Sequence, residues 1–431
     1  MIRLILFLLS FALIALASNG TVVADSQSRA ALPNVSVFDR NGKPAGVCGS
    51  NGRLPYLAAD EFPITLRCMG YKETLVGDAS RDTIFMEINV MALPEMVVEA
   101  KGRRVLHILA YVREYSSLST YEDTVFLFRE KMVDYMWNPS RNGSFTGWNS
   151  PRILNSRSYY RFTNYQGLDS VSDKFNNHFS WADWVGLAPK AELPRRLIGR
   201  ESGTDTVNGK YSMTEVWTKD GDRVDVDIDV LADTGRRTWV PNLSAFFNKD
   251  LDFERFKIRF NYDNVVGNTM SPLEMTGYSF TIESNGRGRG MFMFNRVDDP
   301  FFVSTYCEVY IVDKGFVSVK EARRLEKKLP DELKEMAIFE AASAPELQQS
   351  ILELIARVDE VDRDKIRLAL VPDKRLGGKE VVKLNPGQQI LKRLKGLVGL
   401  DDVNARRKWN SQWKEFRKER RERNKVKALQ E

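Results

Sequence analysis

Between residues 21 and 90 the chain is cut by turn signals often enough to leave room for short strands and little else. Thr21–Asp25, Val35–Asp39, Pro44–Cys48, Pro63–Met69, Lys72–Val76 and Thr83–Val90 are runs of strand-forming residues. Arg40-Asn41-Gly42-Lys43 and Gly49-Ser50-Asn51-Gly52 interrupt them. Asn-Gly supplies the positive φ that tight hairpins need. Strands recurring roughly every 8–12 residues predict a small antiparallel sandwich. Within Pro63–Met69, Ile64, Leu66 and Cys68 alternate with Thr65 and Arg67, so period 2 puts the two sets on opposite faces.

Four motifs in this stretch, in order, carry a resemblance. They are Leu32-Pro33-Asn34-Val35-Ser36-Val37, Asn51-Gly52-Arg53-Leu54, Leu66-Arg67-Cys68-Met69-Gly70-Tyr71-Lys72 and Leu93-Pro94-Glu95-Met96-Val97-Val98. Together they resemble the carboxypeptidase regulatory-like domain, a transthyretin-like β-sandwich common in Bacteroidetes envelope proteins. The resemblance implies a non-catalytic docking or spacer module over about residues 18–100, and no peptidase activity. Cys48-Gly49 replaces the family's Thr-Asp before the turn. No TonB plug is recognisable after Val98, so the resemblance implies fold and compartment and not transport.

Residues 101–313 predict a second, larger antiparallel β domain, as a sandwich or a partly closed barrel. Arg103–Leu118 reads as a strand or amphipathic segment. Tyr121–Met136 reads as a helix, because Val125, Phe128, Met132, Tyr135 and Met136 fall at helical spacing. Lys219-Asp220-Gly221-Asp222 marks a hairpin. After it, Asp225, Asp227 and Asp229 alternate with valine and isoleucine, which predicts a solvated acidic face on an antiparallel strand. Phe256–Tyr262, Gly277–Glu283, Met291–Arg296 and Phe301–Asp313 continue the strands, with Ser284–Gly290 as a flexible loop.

Composition shifts at Lys314, and residues 314–403 predict helices, so the fold class is mainly β with a helical C-terminal part. Ser318 and Glu321 form a capping box for Ser318–Leu329, Pro330-Asp331 restarts a helix to Ala342, and Ser343 to Glu346 predicts a third start. Leu347, Ile351, Leu354, Ile355 and Val358 make one apolar stripe.

The charge is unevenly placed. The formal net charge is +6, yet residues 404–427 hold 11 basic and three acidic residues, so that segment carries +8 and the remainder −2. The charge distribution therefore argues against a basic nucleic-acid-binding body, and no nucleic-acid partner is expected. In the 404–431 tail Trp409, Trp413 and Phe416 share a helical face, with Arg417, Arg420 and Arg421 beside them. A basic amphipathic helix of this kind suits an anionic envelope surface or an acidic envelope protein.

At the other end, Arg3 precedes an apolar run from Leu4 to Leu16, with Ala15-Leu16-Ala17 behind it. The run is about 13 residues, short of the roughly 20 that span a bilayer. Residues 1–17 therefore predict a cleaved signal peptide, export to the periplasm or outer membrane, and no transmembrane span in the mature chain. Export permits a disulfide between Cys48 and Cys68, which the sequence places on neighbouring strands; the alternative is two buried thiols that never meet.

No catalytic motif stands out. HExxH, Gly-x-Ser-x-Gly and the P-loop are absent, and the two histidines, His107 and His178, are far apart. No cofactor or metal site is predicted. An aromatic run from Tyr159 to Trp184 is either core or a glycan platform, with Trp181 and Trp184 as the candidate ligand aromatics. Asp183 and Glu283 are the carboxyls to test for glycoside hydrolysis. The leading expectation is a non-catalytic exported envelope protein that binds or scaffolds. The alternative is a glycan-acting hydrolase in the middle domain.

Overall fold

The computed structural model describes residues 20–78, 80–89, 104–120, 123–137, 151–164, 167–175, 179–183, 185–188, 190–208, 213–232, 252–287, 300–327, 331–334, 336–338, 341 and 343–360. The leader expected at residues 1–17, Trp184, the 361–403 region and the whole basic tail lie outside the described residues, as does Met291–Arg296.

Six strands form the N-terminal unit: β1 (Val22–Asp25), β2 (Ser36–Phe38), β3 (Pro44–Val47), β4 (Ile64–Arg67), β5 (Thr74–Val76) and β6 (Thr83–Met86). They agree closely with the runs read from sequence. β3-β2-β4-β5 is an antiparallel sheet, and β1 pairs with β6 in parallel, where an all-antiparallel sandwich is expected. Val23, Ile84 and Met86 of the pair pack on Val37, Ile64 and Leu66 of the sheet.

The strands of the middle region are β7 (Arg104–Ser119), β8 (Asp123–Trp137), β9 (Arg152–Asn164), β10 (Asp169–Ser172), β11 (Ala191–Glu192), β12 (Ser202–Asn208), β13 (Met213–Asp220), β14 (Arg223–Asp229), β15 (Asp252–Tyr262), β16 (Thr269–Met270), β17 (Met275–Arg287) and β18 (Pro300–Ser318). Ten of them make one antiparallel sheet in the order β10-β9-β8-β7-β18-β17-β15-β14-β13-β12. β10 and β12 are its two edges, so it is a broad open sheet and not a closed barrel.

The predicted helix at Tyr121–Met136 is strand β8. Val125, Leu127 and Val133 point to one core, while Phe128 and Met132 point to others on the opposite face. A strand buried on both faces loses its polar alternation, and the remaining apolar spacing imitates a helix. β17 extends to Arg287, so Ser284–Arg287, read as loop, is strand. β18 runs to Ser318, past the boundary expected at Lys314, and the helix Val319–Lys327 follows at once. Its cap is as expected, with Glu321 N–H donating to Ser318 Oγ at 3.1 Å. Asp331–Lys334 is a short helix, and the last described helix is Gln349–Glu360, beginning six residues after Ser343. No described helix is long and apolar enough to cross a membrane.

One face of the ten-stranded sheet is apolar. Ile108, Leu127, Ile258, Phe280 and Val309 lie beneath a coverlet from residues 179–197 that contributes Phe179, Trp181, Val185 and Leu197. The other face is polar and is also covered, by the N-terminal sandwich and by the 349–360 helix. That helix inserts Ile351, Leu354 and Val358 against Phe38, Phe128, Tyr159 and Val171. A helix of this length is marginal alone, so those three side chains hold it, each contributing about 1.5–3 kcal/mol on burial.

The Asn41-Gly42 turn has a second duty here. Gly42 has φ +73°, and a Cβ on it would lie 2.6 Å from Ser350 Oγ and 3.1 Å from Ile351 Cδ1. Gly42→Ala is therefore expected to cost about 1–3 kcal/mol and to loosen the 349–360 helix first. Amide exchange of Ile351–Val358 in the variant checks this; protection equal to the parent chain refutes it.

Candidate functional site

The polar face of the sheet carries two centres of buried charge. They lie where sandwich, sheet and C-terminal segment meet. Three strands supply them by period 2: β14 gives Asp225, Asp227 and Asp229, β15 gives Arg259 and Asn261, and β18 gives Glu308. Asp225 and Asp227 are 4% and 3% exposed, which corrects the expected solvated face. They face the sandwich, and their charge is matched there. Arg259 Nη1 donates to Asp227 at 2.7 Å and Arg259 Nη2 to Asp225 at 3.0 Å. Arg223 and Asn261 donate to Asp225 at 3.0 and 2.6 Å. Asn34 of the sandwich donates to Asp227 at 3.4 Å. Burial pushes Asp227 up, and the Arg259 guanidinium opposes it. Tyr71 lies under both arginines, 5.6 Å from Arg259 and 5.8 Å from Arg223. Gly70 before it permits this approach, since a Cβ there would lie 2.5 Å from Arg223 Nη2.

Arg67 is the second centre. Sequence alternation put it on the face opposite Ile64 and Leu66, and it is 1% exposed because that face meets the sheet. Its Nη1 donates to Tyr115 Oη at 2.8 Å and to Glu308 at 3.1 Å, and its Nη2 lies 2.5 Å from Glu73. Tyr306 Oη donates to the other Glu308 oxygen at 2.9 Å. The guanidinium also covers the Tyr115 ring at 5.0 Å. Burial raises the Glu73 carboxyl above its ordinary value, against the pull of Arg67. A cleft beside Arg67 is lined by Gly70, Glu73, Asn89, Tyr310, Ser343 and Pro345, with space on the order of a single water molecule. Such a cleft can orient a water; it does not admit a sugar ring. The arrangement locks three parts of the chain together.

The residues singled out in the sequence are not gathered here. Trp181 is 2% exposed, with Nε1 donating to Ser284 Oγ at 3.0 Å and its ring 5.1 Å from that of Phe253. It is core on the apolar side, where its faces are closed to a glycan. Asp183 is on that same side, 2.7 Å from Lys131 and 3.5 Å from Arg129. Glu283 is on the polar side, paired with Arg255 at 3.2 Å. A ten-stranded sheet separates the two carboxyls, so they form no hydrolytic pair. Trp184, Trp409, Trp413, Phe416, Arg417, Arg420 and Arg421 lie outside the described residues. Among the described residues no group of three or more His, Cys, Asp or Glu is placed to hold a metal ion.

Cys48 and Cys68 are free and buried. They are not on neighbouring strands, because β2 runs between β3 and β4. Two strand spacings put their Cα atoms roughly 9–10 Å apart, beyond the limit of about 7 Å for a disulfide. Burial pushes the Cys68 thiol up to about 12.

Comparison with known proteins adds little. No family model matches the chain, and no curated protein is similar to it. Among solved structures, one of lipid–protein interactions in lipovitellin is similar to 50% of this chain at 9% identity and a TM-score of 0.23. The chain spans about a quarter of that structure, 26%. A likeness of that size carries no argument about fold or function.

Sequence reasoning missed the Arg67 and Arg259 centres. The available signal was charge inside strands that are otherwise apolar: Arg67 between Leu66 and Cys68, Glu308 between Cys307 and Val309. Charge at such positions needs a buried partner or water, and only the fold says which.

One buried amine has a pH signature. Lys314 on β18 is 6% exposed and donates to the Leu273 and Met275 carbonyls. Burial lowers it to about 8, against about 10.4 for a free lysine. Between those values the unfolded chain holds a proton that the folded chain has released, so this group makes stability rise with pH. Lys314→Met is expected to remove that rise, about 2–3 kcal/mol between pH 8 and 10 relative to the parent. Denaturant unfolding at the two pH values measures it; parallel curves for the two proteins refute it.

Proposed function

We propose that this is an exported envelope protein that binds or scaffolds and performs no chemistry of its own. The carrying observation is the apolar leader at residues 4–16 followed directly by the ordered regulatory-like motifs of residues 32–98. The buried Arg67 and Arg259 centres support a scaffold reading, because Arg67 bonds Glu308 across the junction while Asn34 and Tyr71 of the sandwich contact Asp227 and Arg259 of the sheet. β5 is the last strand of the sandwich sheet, and Leu75 on it is 71% exposed, an apolar surface available to an envelope partner. The basic tail provides attachment to an anionic envelope surface or an acidic envelope protein.

Cell fractionation with N-terminal sequencing tests the compartment. The expected mature chain begins near Ser18 and is found in the envelope; an uncleaved cytoplasmic protein overturns the reading. Removing residues 404–431 is expected to release the protein from anionic membranes at low salt. Unchanged retention assigns attachment elsewhere.

A further inference from the structure

A charged island lies inside the apolar face of the broad sheet. β7 supplies Glu114 and Ser116, β8 supplies Arg129 and Lys131, and β18 supplies Cys307 opposite Glu114. Period 2 puts all of them on one face with Val112 and Leu127 of the core. The coverlet brings Asp183 onto this island. Trp181 N–H donates to Thr305 Oγ1 at 3.3 Å and Ala182 N–H to Ser180 Oγ at 2.9 Å, which holds the stretch just ahead of Asp183. Lys131 Nζ donates to Asp183 Oδ1 at 2.7 Å and lies 3.3 Å from Glu114 Oε2. Glu114 Oε1 accepts from Ser116 Oγ at 3.2 Å. Lys131 and Glu114 are fully buried, while Asp183 is 28% exposed.

Taking ions out of water is costly, and a buried pair is often no more stable than a neutral replacement. Here an amine touches one carboxyl and has a second carboxyl beside it, in a site closed to bulk water. Groups held in contact react as if at an effective concentration of up to about 10⁵–10⁸ M. That favours condensation over the ion pair.

We infer that Lys131 and Asp183 join through an intramolecular isopeptide bond, with Glu114 relaying the proton. The starting pair is an ammonium and a carboxylate. Burial works against the ammonium, and Glu114 and Asp183 hold it above its ordinary value. One proton passes from Nζ to Asp183 along their hydrogen bond, leaving an amine and a carboxylic acid. The Nζ lone pair attacks the carboxyl carbon and forms the C–N bond. Glu114 takes a proton from the nitrogen and gives it to the departing hydroxyl. The C–O bond breaks, and one water leaves on the exposed side of Asp183. Nothing is oxidised or reduced. The bond consumes one positive and one negative charge, and Glu114 remains matched by Arg129 at 3.8 Å. It ties β8 to the coverlet across 52 residues of chain. The event occurs once, on the chain itself, turns over no substrate and does not depend on the export reading.

Intact mass of the denatured full chain, followed by peptide digestion, tests it. The expected mass is one water below that of the sequence counted from its measured N-terminus, with residues 131 and 183 in one branched peptide. Lys131→Arg keeps the charge but cannot form this amide, and is expected at full mass with the two peptides separate. Glu114→Gln keeps both partners and is expected to slow joining by about 10²–10⁴-fold. A parent chain at its full sequence mass overturns the inference, as does a missing water with the two peptides separate; the island is then an ion pair only. Both results come from the parent chain, so they decide the matter even where a variant fails to fold. Joining as fast in Glu114→Gln as in the parent overturns the relay.

Discussion

Replacing Arg259 with leucine is expected to lower the unfolding free energy by about 3–5 kcal/mol, the cost of stranding a buried charge. Arg259 is the shared donor to Asp225 and Asp227, both almost fully buried. Without it Asp225 keeps Arg223 and Asn261, while Asp227 keeps the 3.4 Å contact from Asn34. The deficit is expected to shrink as the pH falls, because protonating Asp227 removes the stranded charge. Adding Asp227→Leu is expected to recover part of the loss, since the two residues are one interaction and their costs do not add. Chemical denaturation of the two single variants and the double variant checks this. Purely additive losses would mean that the pair is not coupled as described.

Trp181→Ala is expected to cost about 3–5 kcal/mol, the usual range for a buried tryptophan. The side chain fills the apolar face beside Phe253, and its Nε1 bonds to Ser284 inside the sheet. The substitution also separates the two readings of the aromatic run. A core role predicts a large drop in the melting temperature. A glycan platform predicts an unchanged melt with loss of carbohydrate retention, and that result would revive the hydrolase alternative.

The sandwich was legible because its information is local. Asn-Gly turns and short alternating runs specify hairpins without reference to the rest of the chain, and β2 to β5 follow them closely. The polar stripes were legible as stripes, and that of β14 was misread in direction. Asp225, Asp227, Thr65 and Arg67 alternate correctly, yet alternation says only that a face differs from its opposite. It does not say that the face meets water. The charges lie between two units that meet only after both have formed, and complementary signs on sequence-distant strands carry no local mark. β8 failed for the converse reason. With both faces buried it offers no polar alternation, so its apolar spacing was read as helical. The capping box at Ser318 was found because it spans a single helical turn.

The order of strands in the broad sheet has a kinetic consequence. β7 to β10 form a meander of near neighbours, and so do β12 to β15 with β17 and β18. The seam between the two wings is β7 against β18, joining residues 104–119 to 302–318 along the longest ladder among the described residues. Each wing can assemble from local contacts, but the seam waits for the last strand, and so distant a closure is slow. Until β18 arrives, β7 offers a long unpaired edge. A nascent chain stopped before residue 300 therefore carries two half-sheets and an adhesive margin, and in a cell that margin is where a holding chaperone would be needed.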